Sequence, residues 1–161
     1  MNRKDYNRTV DDFSGRLFGY ALKYLKNSED ASDIVQDVFE RLWNNRKKVE
    51  LEKAKSWLFT TAHNALVNFA QKKARLEYTS ENLPEKLHQE NNRFEMKNMV
   101  DVVLESLPPT QKSIILLRDL EGYSYEEIGA MLQLSESQVK VYLFRARKKI
   151  KVQLKDLTLL V

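Results

Sequence analysis

Residues 124–151, SYEEIGAMLQLSESQVKVYLFRARKKIK, contain two helix starts separated by a short turn. Ser124 and Glu127 form the S-x-x-E pattern of a capping box, and Ser135 with Gln138 forms a second one. Ile128, Met131 and Leu132 give the first helix a buried side, and Gly129 permits a close helix–helix approach. The turn is Gln133-Leu134-Ser135, and Gln133 stands where a left-handed residue is needed, at a small cost for a non-glycine. On the second helix, Val139, Leu143, Ala146 and Ile150 fall within an arc of about 60° at 100° per residue, which marks the core stripe. The opposite side carries Ser137, Lys140, Val141, Phe144 and Lys148, flanked by Arg145. Six basic residues and no acidic one lie between 137 and 151. Such a helix needs a polyanion or open solvent. Two helices, a tight turn and a basic second helix predict a helix-turn-helix with that second helix in the DNA major groove. Outward Val141 and Phe144 suit thymine methyls and the apolar parts of the groove wall. A partner-binding face is the alternative use of the same residues.

Upstream, Pro108-Pro109 suits a helix start, and Ile114 to Leu117 form an apolar segment that ends near Gly122. Met96, Val100, Val103 and Leu104 predict one more helix before it. The segment 77–93, EYTSENLPEKLHQENNR, is polar and poor in large apolar residues, and reads as a linker with a boundary at Pro84. The N-terminal part is again helical. Phe13, Leu17, Phe18, Ala21, Leu22, Tyr24 and Leu25 recur at helical spacing, followed by a break at Lys26-Asn27-Ser28. In DASDIVQDVFERLW, residues 30–43, Ala31, Ile34, Val35, Val38, Phe39 and Leu42 make the apolar stripe. Asp33, Gln36, Asp37 and Glu40 line the far side, as a solvated face or a surface for a basic protein partner. In SWLFTTAHNALVNFAQKKAR, residues 56–75, the core side is Leu58, Ala62, Ala65, Leu66 and Phe69. Trp57, Thr60, Asn64, Val67, Gln71 and Arg75 share an arc of about 80° on the other side, with Asn68 beside it. Aromatic, amide and cationic groups together suit unpaired bases. Solvated amides around a core-capping Trp57 are the plainer use of the same face.

The predicted fold is all-α: two small helical domains joined by a flexible linker, residues 1–76, 77–93 and 94–161, the C-terminal domain containing the helix-turn-helix. Four Gly and three Pro in 161 residues favour helices over a β-rich chain. With no Cys there is no disulfide framework and no thiolate metal site. No apolar run approaches a membrane span, and Met1-Asn2-Arg3-Lys4-Asp5 precedes no signal-peptide core, so the expected location is cytoplasmic. The net charge of +4 is unevenly distributed: residues 41–75 carry +7 and 137–151 carry +6, while 76–110 carry −4 and 111–136 carry −3. Two separate positive blocks predict nucleic-acid contact at two places. His63 and His88 are isolated and read as surface or packing residues. No catalytic site, metal site, cofactor or small-molecule substrate is expected.

Both halves together resemble a known family. The chain is similar to the extracytoplasmic-function (ECF) sigma factors of the sigma-70 family, subunits of bacterial RNA polymerase. Residues 10–75 are similar to region 2, with DIVQDVFERLW at 33–43 and WLFTTAHNALVNFAQKKAR at 57–75. Residues 95–152 are similar to region 4, with LPPTQKSIILLRDLEGYSYEEIGAMLQLSESQVKVYLFRARKKIK at 107–151. The resemblance implies that the Asp33, Gln36 and Asp37 face docks on the coiled coil of the polymerase β′ subunit, with core polymerase, including β, as the partner. It implies that the loop before Trp57 and the helix after it recognise and help melt the −10 element, with Asn64 next to a flipped base and Asn68 one turn on. It also implies that Lys140, Val141, Phe144 and Arg145 read the −35 element while Arg147 and Lys148 hold phosphates. Family members often have Arg and Ser where this chain has Lys140 and Val141, and Lys lacks the bidentate fork of Arg. An anti-sigma partner, often a membrane protein, is implied as well. Two other functions fit parts of the pattern. One is a dimeric helix-turn-helix regulator that binds duplex DNA alone. The other is an adaptor that uses its basic blocks on acidic proteins.

Overall fold

Asparagine side chains start the first two helices. In the computed structural model, which describes residues 1–79 and 99–159, Asn2 Oδ1 accepts from the Asp5 amide at 2.7 Å and opens α1 (Arg3–Leu25). Lys26 ends it in the left-handed region at φ 59°, its amide bonded to Leu22 O. Asn27 Oδ1 then accepts from the Asp30 amide at 3.0 Å and opens α2 (Ser28–Asn44). The expected break is thus two residues of capping, which turn the chain back so that α1 and α2 pack side by side. A loop with one 3₁₀ turn (Leu51–Lys53) leads into α3 (Ala54–Thr79), which packs on both. Leu17, Tyr20, Ala21, Val38, Leu42, Leu58, Phe59, Ala62 and Leu66 are fully or almost fully buried between these three helices. Cutting a buried leucine here to Ala would cost about 2–5 kcal/mol.

Helix α3 runs on through Thr79, three residues past the expected domain end at 76. Of the segment read as a linker, residues 80–93 lie outside the described residues, as do Met96 and His88. Helix α4 (Met99–Ser106) carries a core stripe shifted from the expected one. Met99, Val103 and Leu104 are buried, but Val100 is 49% exposed. Pro109 opens α5 (Pro109–Ile115), which then widens into a π-turn over Leu116–Leu120, with the Glu121 amide bonded to Leu116 O five residues back. Gly122 closes it at φ 75°, a conformation that favours glycine.

The helix-turn-helix forms as its sequence predicts. Helix α6 (Tyr125–Leu132) has both bonds of the Ser124–Glu127 capping box. Gln133 is left-handed at φ 59°, and the Ser135–Gln138 box opens α7 (Glu136–Leu159). Gly129 serves the turn rather than a helix–helix approach. A Cβ on it would lie 2.6 Å from Leu134 O, and the Leu134 amide donates to Gly129 O at 2.9 Å. Helix α7 also outlasts its basic cluster and runs on through Leu157 and Thr158. Ser106 and Gln153 join α4 to α7 at 2.6 Å, supported by Lys149 Nζ on Ser106 O at 3.1 Å.

The two helical units are in contact. Phe59 of α3 meets Tyr123 edge to face, with ring centres 5.1 Å apart. Arg16 of α1 lies over the same Tyr123 ring and donates to Glu121 O. α6 rests on the N-terminal half of α3.

Candidate nucleic-acid and polymerase interfaces

The apolar stripe of α7 fixes which side is left over. Val139, Leu143 and Ala146 are buried and Ile150 is partly so, which turns Ser137, Lys140, Val141, Phe144, Arg145 and Lys148 outward. Phe144 is 68% and Val141 47% exposed, large apolar side chains held among cations. Lys140 lies 5.5 Å from the centre of the Tyr125 ring, with Arg118 4.5 Å from the same centre. Tyr125, which sequence reading passed over, therefore helps aim the edge of this basic surface. Arg147 is differently occupied. Its guanidinium grips the Asp119 carboxylate through Nη2 at 2.5 Å and Nε at 3.3 Å, anchoring α7 to the π-turn and leaving less of it for a phosphate.

Along α3, Asn64, Asn68, Gln71 and Arg75 are exposed, while Trp57, Thr60 and Val67 are half-buried. Trp57 borders a shallow hollow of about 310 Å³ formed with Asn45, Lys48, Val49, Glu50 and Lys53. Arg46 stacks over Trp43 at 3.8 Å, and the Tyr6 ring meets the same Trp43 ring edge to face with centres 4.9 Å apart, so the basic loop leaves α2 from an aromatic base. Thr60 does not face solvent freely. Its hydroxyl bonds to Ser56 O of its own helix and to Met131 O of α6, at 2.7 and 2.6 Å. One turn earlier, Lys55 pairs with Glu127 at 2.5 Å.

On α2, Asp33, Gln36 and Glu40 are exposed and Asp37 is half-buried, paired with Arg41 at 2.9 Å. This acidic side faces away from the α2 core stripe of Ala31, Ile34, Val38 and Leu42, as expected. Among the described residues no group of three or more His, Asp or Glu is placed to hold a metal ion, and no helix is long and apolar enough to cross a membrane.

Polar groups buried between the two units were not legible as such. Ser113 of α5, fully buried, bonds to Tyr20 OH at 2.6 Å and to His63 Nδ1 at 2.7 Å. Lys112, also buried, donates to Tyr24 O at 2.8 Å and lies over the Tyr24 ring at 4.1 Å. Burial drives the Lys112 ammonium below its usual range, against the pull of Glu105, and pushes the Tyr24 hydroxyl up to about 12. His63 is thus a packing residue, as expected, but its partner lies 50 residues away.

These shifts set a pH dependence. Desolvation holds the His63 imidazole below its ordinary 6.5. The packed form then binds fewer protons than the exposed form, so its stability is complete above pH 6.5 and declines as the pH falls below that value. Glu127 is held at about 2 by hydrogen bonds from Lys55 and Ser124, so its contribution is present above 4.5 and is lost toward 2. Thermal unfolding followed across pH should show a decline beginning below 6.5 that His63→Gln abolishes, and a second below 4.5 that it leaves. An unchanged first decline in His63→Gln would assign it to another group.

Residues 9–76 match the family model for sigma-70 region 2, and residues 97–150 match that for sigma-70 region 4. The chain belongs to the sigma-70 family. Its relatives are sigma factors of the ECF group. It is 26% identical over 152 residues to the ECF RNA polymerase sigma factor SigM of Bacillus subtilis, covering 89% of this chain and 93% of that one. It is 28% identical over 165 residues to the ECF RNA polymerase sigma-E factor of Escherichia coli K12, covering 92% and 86%. The fold of this sigma factor matches that of RpoE from Bartonella quintana, solved in complex with the anti-sigma factor NepR, at TM-score 0.70, with 22% identity and 94% and 98% of the two chains covered. It also matches CnrH, solved in complex with the cytosolic domain of CnrY, at TM-score 0.72, with 22% identity and 96% and 90% covered. In this sigma factor, region 2 therefore corresponds to α1–α3, and region 4 to α4–α7 up to residue 150.

Proposed function

We propose that this chain is an alternative sigma factor that binds core RNA polymerase, directs it to promoters through −10 and −35 contacts, and helps open the DNA. The observation that carries the reading is the coexistence, on one chain, of an acidic face on α2, an amide-rich face on α3 and a basic, partly apolar face on α7. A regulator that binds duplex DNA alone needs the last of these and has no use for the other two. Asp33, Gln36, Asp37 and Glu40 meet the polymerase β′ subunit. Trp57, Thr60, Asn64, Val67, Asn68, Gln71 and Arg75 receive the melted −10 strand. Ser137, Lys140, Val141, Phe144 and Arg145 enter the −35 major groove, with Arg147 and Lys148 toward phosphates. A flipped base costs a few kcal/mol to unstack, which a hollow such as that beside Trp57 can offset. The protein supplies specificity and leaves the chemistry of RNA synthesis to the polymerase. It acts in the cytoplasm, where its polymerase is. The two matched structures were solved with NepR and with the cytosolic domain of CnrY, and this chain is held by an anti-sigma partner of its own.

Run-off transcription with core polymerase and a library of promoter-like DNA tests the reading. Transcripts that require the added protein support it. Tight binding to duplex DNA without polymerase, and no dependent transcripts, would make it a conventional regulator. On a −35-dependent promoter so selected, Arg145→Ala should lower transcription about tenfold, since a base-reading arginine is worth about 1–3 kcal/mol. Core binding should be unchanged, and its loss would mean that the α7 face is misassigned.

A further inference from the structure

The widened turn between α5 and α6 brings a carboxylate to a surface whose own helix supplies none. Residues 137–151 contain six basic residues and no acidic one. On the outer side of α7, Lys140, Arg147, Lys148 and Lys151 line a hollow of about 390 Å³ around Phe144 and Tyr125. Asp119 approaches it from the π-turn and takes the Nε and Nη2 edge of Arg147, at 3.3 and 2.5 Å. The turn that delivers Asp119 disturbs the apolar pattern of its own helix. In an unbroken α-helix Leu120 would share a face with Leu116 and Leu117. Those two are fully buried, whereas Leu120 is 56% exposed. Wide turns of this kind recur at functional sites. Arg118, the residue before Asp119, is fixed separately, on Tyr123 O at 2.8 Å and over the Tyr125 ring.

We propose that Asp119 is an internal stand-in for a DNA phosphate: it withholds Arg147 from the backbone and so limits the sequence-independent part of α7 binding. This rests on the reading of α7 as the −35 surface, and it leaves Lys148 as the phosphate contact there. A carboxylate fits the guanidinium fork as a phosphate does, through two parallel bonds. The joined pair is neutral, and a neutral pair displaces no counterion from DNA, which is where most backbone affinity arises. A phosphate arriving at the remaining Nη1 edge would meet the carboxylate charge beside it. Reading of base edges by Lys140, Val141, Phe144 and Arg145 is a separate contribution. A weaker grip on phosphates shortens the time spent at the many sites that are not promoters.

The test uses holoenzyme assembled from core polymerase and the full chain. Its affinity is measured for a duplex carrying the −35 sequence selected by run-off transcription, and for versions with one −35 base pair substituted. Both side chains of the pair are partly exposed, so the fold survives its loss. Asp119→Ala should bind every duplex several-fold tighter at low salt, by the same factor on each, as a phosphate contact does. Raising the salt from about 50 to 200 mM should then remove about 3.5-fold of that gain, the loss expected for one added phosphate. Asp119→Ala with Arg147→Ala should return affinity and salt dependence to those of the parent. Unchanged or weaker binding by Asp119→Ala overturns the proposal, and so does a gain without a steeper salt dependence. A double variant as tight as Asp119→Ala would show that the gain does not run through Arg147, and one weaker than the parent that Arg147 already holds DNA; either result sinks the proposal. Arg145→Ala separates this from the reading beneath it. If that variant keeps the parent's preference among the duplexes, the assignment of α7 has failed and the inference falls with it. If the preference is lost while Asp119→Ala changes nothing, the assignment stands and the inference alone is wrong.

Discussion

The double variant Asp33→Arg with Asp37→Arg should bind core RNA polymerase about 100-fold more weakly, a loss of about 3 kcal/mol. Both carboxylates lie on the side of α2 opposite its buried Ala31, Ile34, Val38 and Leu42, so the change leaves the core untouched. Replacing two negative charges with two positive ones moves the face by four charge units. It also strips Arg41 of the Asp37 carboxylate that now lies 2.9 Å away, so a third cation is released onto the same surface. Against a basic partner surface, attraction becomes repulsion, which costs more than simple neutralisation. The fold itself should change little, because exposed charge substitutions remain within about 0.5 kcal/mol. Affinity for purified core enzyme at fixed salt is the measurement, with binding of duplex −35 DNA by the same variant as the control. Retained core affinity would remove α2 from the polymerase interface. Loss of both activities would point to misfolding, which circular dichroism would reveal.

Local rules were readable where the partners are close in sequence. The Ser124–Glu127 and Ser135–Gln138 boxes, the left-handed Gln133 and the Val139–Leu143–Ala146 stripe involve neighbours three or four residues apart, and each formed. So did the acidic face of α2 and the exposed amides of α3, which follow from helical periodicity alone. What escaped was set at a distance. The Ser113 partners lie 93 and 50 residues away, and the Lys112 acceptor 88. A serine and a lysine that follow Thr110 and Gln111 on a short mixed helix carry no signal of burial until a second unit covers them. The stripe of α4 slipped for a related reason. Val100 and Met99 are both apolar, and only packing against the neighbouring helices decides which turns inward. The π-turn at Leu116–Leu120 has no composition of its own, and it became legible only through the Glu121–Leu116 bond. The domain arrangement belongs with these. Two separate charge blocks indicated two modules but contained nothing to say that one would rest upon the other.

Gly129→Ala carries the second large effect, and its sign runs against helix propensity. In the interior of a helix Ala is better than Gly by about 1 kcal/mol, so the substitution would ordinarily stabilise α6. Here the new Cβ would stand 2.6 Å from Leu134 O, a backbone atom with no rotamer to yield. Leu134 cannot retreat cheaply, because its own amide is bonded to Gly129 O and Gln133 before it is already left-handed at φ 59°. The strain therefore opens the turn, and the net result should be a loss of about 1–3 kcal/mol in folding stability. The turn also sets the angle between α6 and α7, and α6 carries Tyr125, over which Lys140 and Arg118 are placed. Re-aiming α7 by even a small angle moves Phe144 and Arg145, two turns along the helix, out of register with base edges. Transcription from a −35-dependent promoter should accordingly fall by more than tenfold at temperatures where the variant remains folded, a loss of at least about 1.4 kcal/mol in the productive complex. Core binding through α2, remote from the turn, should persist. Calorimetry and run-off transcription separate the two effects. A Gly129→Ala protein more stable than its parent would mean that the turn relaxes freely, and the glycine would then have no structural role in presenting α7 to DNA.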